Sequence, residues 1–111
     1  MYAIELLCQW LTLDPVRIEW DDAKDESNRS KHGVSFAEAR VLLESGADFL
    51  MILDADHSEL ENRFLAIGPI ERGLIVIAFA EPEEDTMRII SARWANRNER
   101  SLYRSYMDRN S

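Results

Sequence analysis

Hydrophobic and polar positions alternate along the chain in a way that predicts helices near its start and strands in its middle. Apolar residues between Ile4 and Leu11 recur at helical spacing, which predicts a short amphipathic helix that ends before Pro15. The next apolar stretch, Arg17 to Trp20, is typical of a short strand.

A polar helix is predicted after this strand. Asp21 or Asp22 is a suitable N-cap, and Gly33, directly after His32, is a typical helix stop. Because the stretch is mostly polar, we expect only a narrow stripe through Ala23 to face the core.

A second helix is predicted from a capping-box pattern. Ser35 is followed three residues later by Glu38, and Gly46 is expected to end the helix. The residues expected on its buried side are all apolar: Phe36, Ala39, Val41, Leu42 and Leu43.

Four apolar segments separated by turn residues predict the strands of a small sheet: Phe49 to Leu53, Arg63 to Ile70, Leu74 to Ala80 and Arg88 to Trp94. Glu71-Arg72-Gly73 is short enough for a hairpin connection. The acidic stretch from Glu81 to Asp85 is expected to form the last turn.

A second capping box, Asn96 with Glu99, opens a final helix that is predicted to run to about Met107. Its apolar side consists of Leu102, Tyr103 and Tyr106. These elements predict an α+β fold, in which N-terminal helices pack on a small antiparallel β-meander and a C-terminal helix closes the domain. At 111 residues the chain is expected to form one domain, 1–111.

Composition narrows the class of protein. Hydrophobic content of 46% and charged content of 31% are ordinary for a soluble globular chain. The single Cys8 cannot form an internal disulfide, and we find neither a signal peptide nor a run of about 18 apolar residues. We therefore expect a cytoplasmic protein without a membrane partner.

Positive charge is concentrated at the C-terminal end of an acidic chain. The formal net charge is −8, yet Arg88 to Ser111 has a balance of +4 against −12 for the rest. A localised basic surface on a small domain indicates contact with a polyanion or with an acidic protein partner. Charge alone does not choose between the two.

Several segments resemble one known family. In chain order they are Ile18-Glu19-Trp20-Asp21, Lys31-His32-Gly33-Val34-Ser35-Phe36, Asp56-His57-Ser58-Glu59 and Arg88-Ile89-Ile90-Ser91-Ala92-Arg93. With Lys24, Asn28, Arg63 and Tyr103 they resemble the BrnT family, the toxin half of a bacterial type II toxin–antitoxin pair. The resemblance covers about residues 17–103 and leaves residues 1–16 as an atypical N-terminal extension.

The resemblance implies a RelE/ParE-like fold and a ribonuclease that inhibits translation. It also implies a ribbon-helix-helix antitoxin (BrnA-like) that neutralises the toxin, a possible 2:2 complex, and DNA contact only through that antitoxin. Two positions depart from the family pattern. Pro82 stands where Arg is common, and Trp94 stands where Lys or Arg is usual, so both lack a cation near the expected active face.

Three arginines are the main catalytic candidates. In metal-free RNA cleavage the 2′-OH attacks the adjacent phosphate, and guanidinium groups can stabilise the developing charge. Arg63, Arg88 and Arg93 lie on neighbouring predicted strands. Strict alternation would point Arg88 away from Arg93 unless a bulge intervenes, so we expect at most one of the two to touch substrate. The alternative is a structural arginine that pairs with Glu19 or Glu61.

His57 is the fourth catalytic candidate, because its titration range suits general acid–base work; a histidine that caps a loop turn is the alternative. The acidic run from Asp54 to Glu61 has no ligand pattern of known spacing, so we predict no metal site and no cofactor.

Lys31, Arg97 and Arg100 are the candidates for RNA binding. The basic final helix either binds RNA phosphates or pairs with acidic residues of an antitoxin. Trp94 either stacks on a base or packs against the final helix or an antitoxin. The leading hypothesis is a ribonuclease toxin. The alternative is a catalytically weakened relative that binds the antitoxin in operon autoregulation, and gyrase inhibition rests on fold analogy alone.

Overall fold

The computed structural model describes residues 17–45, 49–54 and 62–109. The helices and strands, in chain order, are β1 (Arg17–Glu19), α1 (Asp22–His32), α2 (Phe36–Glu44), β2 (Leu50–Leu53), β3 (Asn62–Ile70), β4 (Gly73–Glu83), β5 (Thr86–Trp94) and α3 (Arg97–Arg109). The helix predicted from Ile4 to Leu11, the stop at Gly46 and the candidate His57 lie outside the described residues.

The five strands form one sheet in the order β1-β5-β4-β3-β2. Strands β2 to β5 pair antiparallel between chain neighbours, so the predicted α+β fold with an antiparallel meander is confirmed. β1 pairs parallel with β5 and was not predicted as part of this sheet. Because β1 is only three residues long, it covers β5 only from Thr86 to Arg88.

Helix α1 has the predicted ends but a different buried face. The Asp21 side chain accepts a hydrogen bond from the backbone N–H of Lys24 at 3.0 Å, and Gly33 ends the helix with φ of 71°. The expected core stripe through Ala23 is wrong, because Ala23 is exposed. Asn28 is the buried residue of α1 instead, bonded to backbone atoms of β5 and of the chain after the helix.

Helix α2 begins at the predicted capping box. Ser35 and Glu38 exchange hydrogen bonds between their side chains and backbone N–H groups, both at 3.1 Å. Val41 is 65% exposed, so its predicted burial is wrong. It lies about 100° around the helix from Leu42, outside the arc that faces the sheet. The buried residues of the helix are Phe36, Ala39 and Leu42.

The sheet carries apolar side chains on both faces. Ile75, Ile77 and Phe79 of β4 point toward the core that α1 and α2 cover. Val76 lies between them in sequence and therefore points to the opposite face, where it packs near Tyr103 of α3. The two helical layers lie on opposite faces of the sheet.

Strand β4 continues through the stretch that was predicted as a turn. It runs to Glu83, and the connection to β5 is confined to Glu84 and Asp85. Pro82 is accommodated because the pairing of β4 with β5 is irregular between Ala80 and Glu83. A proline at such an irregularity does not remove a regular ladder hydrogen bond.

Candidate active site

A β-bulge brings Arg88 and Arg93 to the same face of the sheet. Ser91 pairs with Ala78, whereas Ile89 pairs with Phe79, so two residues of β4 oppose three of β5. Across an antiparallel pair, opposite residues share a face. The bulge named as the exception to strict alternation is therefore present, and the expectation that at most one of the two arginines touches substrate stays a prediction.

Arg63 and Arg88 flank one alanine in the middle of the sheet. Ala80 pairs with Arg63 on one side and with Arg88 on the other. Since neighbouring strands lie about 4.8 Å apart, the two arginine Cα atoms are separated by roughly 10 Å. Ala80 itself is fully buried, so neighbouring side chains cover it. Glu19 of β1 pairs with Arg88 and extends this line, which we call the arginine row: Arg63, Ala80, Arg88 and Glu19.

The contact between Arg88 and Glu19 is exchangeable. The Nε atom of Arg88 donates to Glu19 Oε2 at 3.3 Å, and the two side chains are 43% and 40% exposed. Ion pairs with this exposure contribute about 0–1 kcal/mol. The ion pair between Arg88 and Glu19 therefore contributes little to the stability of the fold.

Arg93 is held more firmly, by helix α3. Its two terminal nitrogens each donate to a separate oxygen of Glu99 at 2.7 Å. Glu99 also accepts the backbone N–H of Asn96 at 2.9 Å as part of the predicted capping box. This geometry favours the structural alternative, in which Arg93 fixes the first turn of α3 to β5. A catalytic role for Arg93 stays a prediction.

The Arg93–Glu99 pair predicts a loss of stability in acid. The hydrogen bond from Arg93 lowers the pKa of Glu99 below its ordinary value of 4.5 and raises that of Arg93. For a carboxyl with a lowered folded-state pKa, the stabilisation is complete above about pH 4.5 and is lost as pH falls through the folded-state value. We expect Glu99→Gln to lower the melting temperature at pH 7 by about 4 °C. Between pH 5 and pH 3 the melting temperature of this variant should fall less than that of the unmodified protein.

The control for this experiment is Glu44→Gln, which removes an exposed pair with Arg40 on the outer face of α2. Thermal unfolding followed by circular dichroism measures both variants. An acid dependence of Glu99→Gln as steep as that of the unmodified protein would contradict the prediction.

The predicted RNA-binding residues lie in two places. Arg97 and Arg100 are on α3, where Arg100 also donates to the backbone carbonyl of Ala95 at 2.8 Å. Lys31 is on α1, beside the outer edge of β5, and does not join them. The structure therefore does not assemble the three into one surface.

Trp94 faces the side of the sheet that α1 and α2 cover. It pairs with Ile75, and the guanidinium of Arg72 lies 5.2 Å from its ring centroid. Arg72 also donates to both carboxylate oxygens of Glu38, which lowers the pKa of that carboxyl, and to the carbonyl of Gly33. Trp94 thus belongs to a cluster at the β3–β4 hairpin, on the face opposite the arginine row.

Sequence reasoning did not identify two residues of this region as functional. Glu19 was considered only as a structural partner, and Lys24 was given no role. No sequence signal pointed to Glu19, because it pairs with Arg88 across 69 residues of chain. The signal for Lys24 was its spacing of seven residues from Lys31, which places both on one helix face.

Comparisons with known proteins agree with the fold. The sequence profile described as the ribonuclease toxin BrnT of a type II toxin–antitoxin system matches residues 20–99, so the chain belongs to the BrnT family of ribonuclease toxins. It is also similar to the crystal structure of the Brucella abortus ribonuclease toxin BrnT. The TM-score is 0.55 at 25% identity, and the match covers 74% of this chain and 99% of the Brucella chain. No curated protein is significantly similar in sequence. Among the described residues, no helix is long and apolar enough to cross a membrane.

Proposed function

We propose that this BrnT-family toxin cleaves RNA without a metal ion and that the arginine row is its reaction centre. The observation that supports this proposal is that Arg63 and Arg88 flank a buried alanine on one face of the sheet, with Glu19 next to Arg88. Two guanidinium groups provide charge stabilisation of the kind that a divalent ion gives in other nucleases.

The proposed reaction is an intramolecular phosphoryl transfer. The ribose 2′-oxygen forms a bond to the adjacent phosphorus, and the bond from phosphorus to the 5′-oxygen breaks. Glu19 accepts the 2′-hydroxyl proton, while Arg63 and Arg88 hold the equatorial phosphate oxygens. A proton must also reach the leaving 5′-oxygen, and His57 is the predicted donor. The products are a 2′,3′-cyclic phosphate and a 5′-hydroxyl.

Cleavage in the presence of a chelator tests the metal-free mechanism. We expect the purified chain to fragment total RNA in excess EDTA at the same rate as in Mg²⁺. The measurement is the appearance of fragments on a denaturing gel, with end-group analysis for the cyclic phosphate. Cleavage that appears only after a divalent ion is added would contradict the mechanism.

We also propose a ribbon-helix-helix antitoxin as the partner, in a 2:2 assembly that contacts DNA only through the antitoxin. In this proposal the antitoxin neutralises a cytoplasmic toxin that would otherwise inhibit translation. Membership of a type II toxin–antitoxin family and the exposed arginines of α3 support it. Size-exclusion chromatography with light scattering on the co-expressed pair measures the stoichiometry.

A catalytically weakened toxin that chiefly binds its antitoxin is the second candidate. Two residues favour this candidate because they stand where the family pattern has cations: Pro82 and Trp94. Arg93 also favours it, because the guanidinium group is already hydrogen-bonded to Glu99. This candidate would be supported over an active ribonuclease if the chain binds its antitoxin tightly but leaves RNA intact, both with and without Mg²⁺.

A further inference from the structure

A basic cleft lies between α1 and the outer edge of β5. It has a volume of about 230 Å³, and its charged lining consists of Lys24, Lys31 and His32. Hydroxyl groups of Ser27 and Ser91 complete a polar lining around the bulge of β5. Lys24 and Lys31 come from one helix face, since residues 24, 27, 28 and 31 follow helical spacing, and His32 is the last residue of the helix.

The charge of this cleft is unusual for the chain. The protein has a formal net charge of −8 and contains two lysines, and both lysines line this cleft. Arg29, on the same helix, is paired with Asp25 at 3.5 Å. In the part of the chain that the structure describes, neither Lys24 nor Lys31 has a carboxylate within 4.0 Å. Two ammonium groups are thus directed to one cleft without an internal counter-ion there.

The cleft lies at the β5 edge of the sheet, the edge on which Glu19 of the arginine row lies. β1 ends at Glu19, opposite Arg88, and within residues 17–45, 49–54 and 62–109 no strand covers the outer edge of β5 beyond that point. Ser91 of the cleft lies on the same face as Arg88 because of the bulge. Ser91 is three positions along β5 from Arg88, which is roughly 10 Å in extended chain. A strand of RNA that crosses the row can pass over the edge of β5 into the cleft.

We propose that this cleft binds a backbone phosphate of single-stranded RNA next to the phosphate that is cleaved. The proposal rests on the proposed nuclease function and adds a subsite to it. Lys24 and Lys31 neutralise the phosphate, and the Ser27 and Ser91 hydroxyls donate hydrogen bonds to its oxygens. An acidic protein segment is less well matched, because the cleft offers Ile90 as its one large apolar side chain, whereas protein interfaces are anchored by buried aromatic and aliphatic groups.

Binding of an uncleavable oligonucleotide tests the proposal. The probe is a fluorescent 2′-O-methyl RNA of about ten nucleotides, titrated at several salt concentrations. We expect Lys24→Gln/Lys31→Gln to weaken binding about tenfold and to lower the salt slope by about 0.7, the value for one phosphate contact on a single strand. The control Arg29→Gln/Arg40→Gln removes the same charge from exposed positions outside the cleft and is expected to change binding less than twofold.

Charge-conserving and chemical tests separate the outcomes. Lys24→Arg/Lys31→Arg should retain most of the binding. Because the chain has only two lysine side chains, amine acetylation followed by mass spectrometry reports on this cleft. We expect the bound oligonucleotide to slow the acetylation of both lysines.

Normal binding and cleavage by the double glutamine variant would overturn the cleft proposal and leave the nuclease proposal intact. Absence of RNA binding and cleavage by the unmodified chain would instead overturn the nuclease proposal. Protection of the lysines by antitoxin but not by RNA would assign the cleft to the protein partner.

Discussion

Replacing Arg63 or Arg88 by alanine is expected to lower the rate of RNA cleavage by about 10²- to 10³-fold, the usual cost of removing one preorganised donor from a developing anion. Both side chains stand beside Ala80, so each loss opens one side of the same phosphate position. The loss should appear in kcat more than in KM, because the interaction strengthens as the phosphate gains charge. Single-turnover cleavage of a labelled oligonucleotide measures it.

Two controls separate catalysis from folding. Arg104→Ala removes an exposed arginine of α3 and should cleave at a normal rate. Glu19→Gln keeps a hydrogen-bonding partner for Arg88 but cannot accept a proton, so it should bind the uncleavable oligonucleotide normally and turn over slowly. Full activity of Arg63→Ala and Arg88→Ala, each with an unchanged melting temperature, would rule out the arginine row as the reaction centre.

Arg93 is expected to behave differently from the other two arginines. Its removal leaves Glu99 partly buried without its bidentate partner and loosens α3, so Arg93→Ala should lower the melting temperature along with any activity. A normal melting temperature with lost cleavage would restore Arg93 as a catalytic residue.

Local chemistry explains the parts of the fold that were predicted from sequence. The start of α2 depends on Ser35 and Glu38, which are three residues apart, and the end of α1 depends on Gly33 alone. These signals act between neighbours, so the sequence displays them completely. The parallel pairing of β1 with β5 joins Arg17 to Thr86 and has no comparable local signature.

The candidate site was predicted in its residue types but not in its arrangement. Arginine suits the stabilisation of a phosphate, and the neighbouring predicted strands contain three arginines, Arg63, Arg88 and Arg93. Their convergence depends on the register of β4 with both neighbours and on a bulge near Ile90, within an apolar run that contains no glycine. A bulge of this kind is determined by pairing across strands, which a single sequence does not display.

The mistake at Ala23 has a different physical origin. Hydrophobic patterning assumes that a helix is held by apolar side chains, whereas α1 is anchored by the amide of Asn28. A buried amide is tolerated only where its donors and acceptor all find partners. Two of the three hydrogen bonds go to backbone atoms of Ala92 in β5, 64 residues away, and sequence spacing carries no trace of them.

Replacing Asn28 by alanine is expected to lower the free energy of unfolding by about 2–4 kcal/mol, because several buried backbone groups would lose their partners. The Asn28 amide donates to the carbonyls of Val34 at 2.8 Å and Ala92 at 2.7 Å, and its oxygen accepts the Ala92 N–H at 3.1 Å. The side chain is 6% exposed, so water cannot easily replace these bonds. Urea unfolding followed by circular dichroism measures the change.

The neighbouring Ser27→Ala is the matched control, since it truncates an exposed residue on the same helix and should stay within about 0.5 kcal/mol of the unmodified protein. Asn28→Asp is a sharper test. It keeps an acceptor for the Ala92 N–H but removes both donors and places a carboxylate beside two carbonyl oxygens. It should therefore destabilise the chain at least as much as alanine does at neutral pH.

Because Asn28 fixes α1 against β5, both substitutions should also displace Lys24 and Lys31 and weaken oligonucleotide binding at temperatures where the chain is still folded. An alanine variant as stable as the Ser27→Ala control would mean that α1 is held to the sheet by other contacts.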